Sequence, residues 1–399
     1  MIPLSCTLWA WIASVLLLLP YRPAAAAATW PSSIDELEDI MLLNTGEQAR
    51  GFAVAVTPCS FSAQGDGRIA AAEWLRTAFH DMATGNVLTG EGGVDASIVF
   101  ETGGIATEDI GPAFNTTLAT FTPFLTSRSS MADLIALGVY TSVRSCGGPV
   151  VPVRAGRIDA KVAAPPGVPL PQDPLDTFLG QFARVGFNAT EMIAVVLCGH
   201  TLGGVHAADF PQVVVPGTVP NDFQHFDTTA AIFDERIATE YISGTTEDPL
   251  AVGISTSNGL NSDGRIFASD GKVTVTAMSD PETFSSVCTT MLQKLIEVVP
   301  SNVVLTDVIV PYDVKPSAIQ LTLLDGGGYL TFTGQIRVRT TVVPASQIAS
   351  VQLVYTDRNG GNACGSCIID TVFEGNAAGF DDTFAVSPLL IFVLTLIEI

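Results

Sequence analysis

From about Trp30 to Pro300, apolar residues recur at helical spacing. The segments TWPSSIDELEDIML, RIAAAEWLRTAFHDM, SMADLIALGVYTSVRS, LDTFLGQFARVGF and PETFSSVCTTMLQKLIEVV carry them three and four positions apart, and each predicts a helix. Long Gly- and Pro-rich connections, such as the one through PPGVPLPQDP, separate these segments; in a packed domain such connections usually carry sites or are pinned by ions. After Pro300 the period drops to two. QLTLLDGGGYLTFTGQIRVRTT predicts a hairpin closed at Gly326–Gly328, and SVQLVYTDRNGG a further strand and turn. The expected architecture is mainly α, with an all-helical domain over residues 29–300, a linker at 301–316 and a small β-sandwich over 317–399. The apolar end, VSPLLIFVLTLIEI, contains Glu398 and reads as a last strand or a truncated gene model rather than a lipid-anchor signal. No internal repeat is visible.

Composition then places the chain. The opening LWAWIASVLLLLP and the alanine-rich run after it read as a cleaved signal peptide over residues 1–28, too short for a comfortable membrane span, although no Lys or Arg precedes the apolar core. The expectation is a secreted, extracellular protein with no membrane attachment after cleavage. Eighteen basic residues stand against forty acidic ones, a formal charge of −22, which repels phosphate backbones and excludes nucleic acid as a partner. With Cys6 in the signal, Cys59, Cys146, Cys198, Cys288, Cys364 and Cys367 remain, an even set that suits disulfides. Asn115 and Asn188 head N-x-T sequons.

Candidate chemistry lies in two helical segments. In AAEWLRTAFHDMATG, Arg76 and His80 are four apart and share a helix face, while Asp81 points about 100° away. A base and a fixed positive charge thus meet one small ligand, a pairing suited to polarising and cleaving a peroxide, and the carboxylate serves a second site. In NATEMIAVVLCGHTLGG, Asn188 and Glu191 suit an N-terminal cap, and His200 falls near the end of an apolar helix. There a neutral ring nitrogen can bind a metal if the other nitrogen donates to an acceptor. The plainer alternatives are a satisfied core histidine for His80 and a helix-end histidine on the dipole for His200.

The strings RTAFHD, GGVDAS, DLIALGVYTSVRSCGGPVVPVRAGRIDA and LCGHTLGGVH, in this order and spacing, resemble the haem peroxidases of the plant, fungal and bacterial superfamily, with secreted fungal members most similar. The resemblance covers roughly residues 45 to 300 and leaves the β-rich tail outside. It implies an all-helical haem peroxidase-type domain binding haem b. By the same likeness His80 is the distal acid–base acting on hydrogen peroxide, Arg76 stabilises charge on the leaving oxygen, and Phe79 packs over the haem. His200 becomes the iron ligand, and Asp270, in RIFASDGK, the carboxylate that accepts its ring proton. Two Ca²⁺ sites are also implied. Asp81, Gly93 (carbonyl), Asp95 and Ser97 would form the distal one, and Thr201, Asp227, Thr229, Ile232 (carbonyl) and Asp234 the proximal one, through the string DTTAAIFD.

The chain departs from that pattern in two places. Met82 stands where many secreted relatives have Cys, which makes Cys59–Cys146 the preferred bridge; Cys198, expected to be buried, has Cys288 as its candidate partner. Asp109, in TEDIGPAF, stands where relatives orient the distal His with an Asn, and a carboxylate there is expected to make His80 more basic. Cys364-Gly-Ser-Cys367 follows a hairpin turn, so a loop-closing disulfide or free thiols fit better than a redox motif.

The electron donor is less legible. After the signal only Trp30 and Trp74 remain, so a surface tryptophan relay has poor support; no spacing picks out a manganese site, and His206 and His225 read as structural. The expected activity is reduction of hydrogen peroxide and oxidation of small organic donors, phenols among them, by one-electron steps through a ferryl intermediate. A secreted cell-wall protein, with the β-domain contacting carbohydrate and the helices serving as scaffold, is a second reading. A metallohydrolase using His80, Asp81, His200 and His206 is a third, opposed by the divergence of His80 and Asp81 and by the absence of an H-x-x-x-H pair.

Overall fold

A computed structural model describes residues 31–102, 108–356, 360–361 and 367–390, with the backbone of 392–395. The signal segment, Trp30, Cys364 and Glu398 lie outside the described residues. The helices run in the order α1 (Asp35–Leu42), α2 (Ala70–Ala83), α3 (Ala113–Phe121), α4 (Met131–Ser145), α5 (Leu175–Arg184) and α6 (Ala189–His200). They continue with α7 (Arg236–Ser243), α8 (Ile254–Asn258), α9 (Ser262–Ala268), α10 (Val273–Ala277) and α11 (Pro281–Ile296). Each predicted helix is present within a few residues of its expected limits.

The centre of the helical body is α2, α4, α6 and α11. Helix α4 begins at a Ser130 cap that accepts the Asp133 N–H at 3.1 Å, and buries almost its whole circumference. Helix α2 lays Ala71, Trp74, Ala78 and Met82 against it; Met82 is fully buried. Gly138 of α4 permits this approach, because a Cβ there would stand 2.7 Å from the Phe121 ring and 3.6 Å from that of Trp74. The Trp74 indole packs edge-on to Phe121 at 4.7 Å and tilted against Phe52 at 5.0 Å. Two disulfides cross this body. Cys59–Cys146 ties the segment before α2 to the end of α4, and Cys198–Cys288 joins α6 to α11. They lie 87 and 90 residues apart in sequence; each such loop, closed in the unfolded chain, is worth roughly 4.5 kcal/mol in the chain-entropy account.

Strands occur in three places. Two short ones, β2 (Gly204–His206) and β3 (Phe223–His225), form an antiparallel ribbon after α6. The C-terminal region contributes β4 (Val314–Leu323), β5 (Tyr329–Arg339), β6 (Gln352–Val354), β7 (Ile368–Asp370), β8 (Gly375–Ala378), β9 (Thr383–Pro388) and β10 (Phe392–Thr395). The hairpin expected around Gly326–Gly328 is β4–β5. The β-sandwich is not what forms. A single antiparallel sheet runs β1-β8-β9-β5-β10 with β4 also on β5, and its first strand, β1 (Thr45–Gly46), comes from ahead of the helical body. The two-stranded β6–β7 ribbon adds Leu353 and Ile369 to an apolar cluster with Ile336 and Val338.

The reason is on the other face of β5. Lys315 and Arg337, paired across β4 and β5, are only 2% and 1% exposed. Lys315 Nζ meets Glu38 at 2.7 Å and Asp39 at 3.0 Å, and Arg337 meets both of those acids as well. Helix α1 therefore supplies the acids for two cations of the sheet, and ions this deep persist only when paired. Burial nevertheless pushes the Asp39 carboxyl up against the opposing pull of Lys315. Further along, Arg144 of α4 pairs with Asp381, and Tyr140 packs edge-on to Phe380 at 6.1 Å. The connection after α11 also follows the helical body, with Thr306 N–H on the Ala155 carbonyl at 2.9 Å and Ile309 N–H on Val153 at 2.8 Å.

Removing one acid of the buried cluster should therefore loosen helices and sheet together. Glu38→Ala leaves Lys315 and Arg337 to share Asp39 and is expected to cost about 3 kcal/mol in urea unfolding. A variant with the wild-type midpoint would place the joint elsewhere.

Candidate active site

Helices α2 and α6 form opposite walls of a cavity of about 250 Å³ whose lining includes Arg76, Phe79 and His80 from α2 and His200 from α6. Most of the remaining wall is apolar, with Phe178, Phe182, Val196, Leu202 and Phe226 among its residues. Phe79 lies tilted against Phe182, ring centroids 6.1 Å apart.

On the α2 side, His80 Nδ1 lies 2.7 Å from Asp109 Oδ1, both side chains being almost wholly buried. Asp109 thus engages Nδ1, and Nε2 is left without a protein partner among the described residues. Asp109 raises the His80 pKa, in the expected direction, but it is not the largest influence. Burial, helped by the charge of Arg76, outweighs the Asp109 hydrogen bond and pulls the His80 pKa down to about 4. Arg76 holds its place through Nη2, which donates to the Ile110 carbonyl at 3.0 Å, and through the faces of Phe114 and Phe210 at 4.5 and 5.8 Å. Desolvation lowers its pKa to about 10, countered by Asp209, Asp109 and Glu73, so the guanidinium stays charged at neutral pH.

On the α6 side, Asn188 and Glu191 form a reciprocal capping box, as their spacing predicts. The helix delivers His200 at its last residue, with the ring stacked on Phe226 at 4.2 Å and 6°. Its Nδ1 lies 2.5 Å from Asp263 Oδ2. Asp270, the expected partner, does not reach it. Asp270 accepts the N–H groups of Val273 and Thr274 at 3.0 and 2.9 Å and the Thr274 hydroxyl at 2.6 Å, capping α10. Two Ser-Asp steps stand seven apart at Ser262-Asp263 and Ser269-Asp270, and helix α9 lies between them. The first opens α9, where Ile266 and Phe267 bury that turn against the body; the second follows its end, beside the turn at Gly271. That burial pattern was the available signal.

The residues assigned to cation sites gather in two places. Asp81 is fully buried, and its carboxylate accepts from Ala96 N at 2.8 Å, Ile98 N at 3.2 Å and the Ser97 hydroxyl at 3.5 Å. Gly93, at φ +104°, and Asp95 begin that loop, and burial with nearby Asp95 raises the Asp81 carboxyl well above the usual range. Near His200, the Thr201 hydroxyl donates to the Asp234 carbonyl at 2.6 Å and that of Thr229 to Asp234 Oδ1 at 2.9 Å. Ile232 donates its N–H to the Thr229 carbonyl at 2.7 Å. Burial, with Asp234 and Glu240 adding, pushes Asp227 up to about 7, and its Oδ2 is buried without a hydrogen-bond partner. Among the described residues no three His, Cys, Asp or Glu side chains form a metal-binding group; each place offers two acids plus hydroxyls and backbone.

Sequence reasoning missed three further wall residues: Arg68, His206 and Asp209. Arg68 Nε pairs with Glu73 at 2.5 Å. His206, read as structural, sits on β2 with its ring stacked on Phe223 at 4.3 Å, and burial with Arg68 and Arg76 lowers its pKa to about 4. His225, opposite Gly204 on β3, is exposed and is not among the wall residues. Among the described residues His80, Asp81, His200 and His206 form no shared metal-binding group, since His80 and His200 are each tied to their own carboxylate and Asp81 serves a different loop.

Comparison with known proteins agrees with this geometry. Residues 59–257 match the peroxidase family. A WSC domain-containing protein of Arthroderma benhamiae is 60% identical over 360 residues, 90% of this chain and 50% of that protein. Manganese peroxidase 3 of Phlebia radiata is 34% identical over 42% of this chain and 46% of its own length. Peroxidase 40 of Arabidopsis thaliana is 30% identical over 39% and 47%. The chain spans about half the length of these curated relatives. With its motifs in order and its two imidazoles facing across one cavity, the chain is a member of the haem peroxidase superfamily.

Proposed function

We propose that this protein is a secreted peroxidase that binds haem b and two Ca²⁺, reduces hydrogen peroxide and oxidises small organic donors, phenols among them, by one-electron steps. The observation that carries the reading is the pair His80 and His200, on opposite walls of one cavity, each with Nδ1 held by a buried carboxylate. A proton held on Nδ1 leaves Nε2 with its lone pair, which suits a base on one wall and an iron ligand on the other. The apolar walls and this donor set fit the haem, and His200 would hold it. Haem, when bound, would supply redox-active iron for the reduction of peroxide.

The chain's own residues do the rest. His80 Nε2 takes the proton from the near oxygen of peroxide and returns it to the leaving oxygen. Arg76, held by Ile110, Phe114 and Phe210, stands charged where negative charge grows on that oxygen. Asp263 keeps His200 in the ligating tautomer. Asp81, Gly93, Asp95 and Ser97 would hold the calcium next to the His80 helix. Thr201, Asp227, Thr229, Ile232 and Asp234 would hold the one next to His200, where the partnerless Asp227 Oδ2 supports a cation. The apolar N-terminal run and the two disulfides support secretion, with residues 1–28 as the signal. Contact between the β-region and cell-wall carbohydrate remains part of the proposal, supported by the exposed rings of Tyr329 and Phe373.

Reconstitution with hemin tests this reading. His200→Ala is expected to lose haem uptake, whereas His80→Ala keeps uptake but loses about 10²–10⁴-fold in peroxide consumption; equal uptake and turnover in both would sink it. His80 must be neutral to accept a proton, and its pKa is lowered to about 4. Peroxide consumption should accordingly be full well above pH 4 and fall as pH drops through it. Asp109→Asn removes a contribution that raises this pKa, so the acid limb of the rate profile should move lower; an unmoved limb contradicts the assignment. Stripping calcium with a chelator should lower the melting temperature of the wild-type protein, with a smaller drop in Asp227→Ala, as read by calorimetry.

A further inference from the structure

The Gly- and Pro-rich connection ahead of α5 is tied to both sides of the cavity. Val168, Pro169, Leu170 and Pro171 line that cavity, and they belong to no helix or strand. The first anchor is at Gly167. Its N–H donates to Glu108 at 2.9 Å, and its carbonyl accepts from Arg184 Nη2 at 2.9 Å. The same guanidinium donates to the Ala83 carbonyl at 2.7 Å and the Gly85 carbonyl at 2.8 Å, at the end of the helix that carries His80. Glu108 immediately precedes Asp109, the acid on His80. A Cβ at Gly167 would stand 2.5 Å from the Ala83 carbonyl oxygen, so this close approach needs glycine.

The second anchor is Arg265. Its Nη2 donates to the Pro171 carbonyl at 2.5 Å and the Asp173 carbonyl at 3.0 Å. Its Nη1 donates to the Gly259 carbonyl at 3.1 Å and to Asn261 Oδ1 at 3.0 Å, and the guanidinium lies over the Phe178 ring at 5.5 Å. Arg265 follows Asp263, the acid on His200, by two residues within α9. The Asp173 carboxylate closes this end by accepting the Leu170 N–H at 2.9 Å. Between the anchors, Pro169 and Pro171 have their φ angles locked, and a proline-rich segment of this kind acts as a semi-rigid spacer.

We propose that residues 167–173 are a strut that sets the spacing between the His80 and His200 walls, with Arg184 and Arg265 as its positioning residues. Each end is bound beside the acid that orients one of the two imidazoles, so a displacement at one end is passed to the other. A reaction that needs two groups at a fixed separation loses up to about 10²-fold when one of them moves by roughly 1 Å. The consequence for turnover rests on the peroxidase reading above; the mechanical link between the walls does not.

The test begins with the haem-free full-length protein, in which nitrogen NMR of labelled histidine reads each imidazole. Arg265→Ala removes no hydrogen bond of His80 or Asp109, yet it should shift the His80 signals as well as those of His200. Arg265→Lys keeps the charge and part of the bonding and should shift them less. Pro169→Gly leaves every anchoring bond in place and should move both imidazoles together, which decides the matter even if Arg265→Ala does not fold. In hemin-loaded protein, Pro169→Gly should retain uptake and lose about tenfold in peroxide consumption. His80 signals that stay at their wild-type positions in both Arg265→Ala and Pro169→Gly overturn the strut, and undiminished turnover in Pro169→Gly overturns its part in the reaction. Coupled signals in a protein that takes up no hemin keep the strut and remove the peroxidase reading instead.

Discussion

His80 and His200 each have Nδ1 bound by a buried carboxylate, and the rest of the site depends on that constraint. A histidine free to rotate offers either nitrogen to a ligand; one whose Nδ1 is fixed at 2.7 Å or 2.5 Å offers a single, aimed Nε2. The two carboxylates come from segments distant from their histidines, Asp109 from the loop before α3 and Asp263 from the first turn of α9. Helix packing alone would bring the rings near one another without fixing which atom faces inward. The buried acids supply the missing orientation.

The two sides use this device in different surroundings. His80 is enclosed and near a guanidinium, which keeps it neutral despite its acidic partner. His200 is about one-third exposed at its side chain and lies flat on Phe226, a setting in which a ring can accept a ligand without losing its partner. Similar pairs thus differ in what else surrounds them: Arg76 beside one, a stacked phenyl against the other.

Much of this was legible along the chain. Helices α2, α4, α6 and α11 announce themselves because each buries a broad face, and that need imposes its period on the sequence. Arg76, His80, His200 and Asp109 were readable because side chains four apart on one helix, or inside recurring strings, carry their geometry with them. Helices α8, α9 and α10, of five to seven residues, are too short to show a period, and the choice between Asp263 and Asp270 turned on which one opened α9. His206 and Asp209 join the wall only because the β2–β3 ribbon folds back on the cavity. Period-two alternation cannot reveal that Lys315 and Arg337 meet an acid nearly three hundred residues earlier. The pairing of a two-residue strand at Thr45–Gly46 leaves no pattern at all.

That pairing has a consequence for how the molecule is made. Thr45 and Gly46 align with Ala378 and Ala377, so the outermost strand of the sheet is synthesised long before its partner. The helical body between them must leave this edge open until β8 has been made. Contacts of such sequence separation form slowly, and an unpaired edge in the interim is a place where nascent chains can meet one another. Oxidation of Cys59–Cys146 and Cys198–Cys288, whose partners emerge well before β8, can tie the body together while that edge waits.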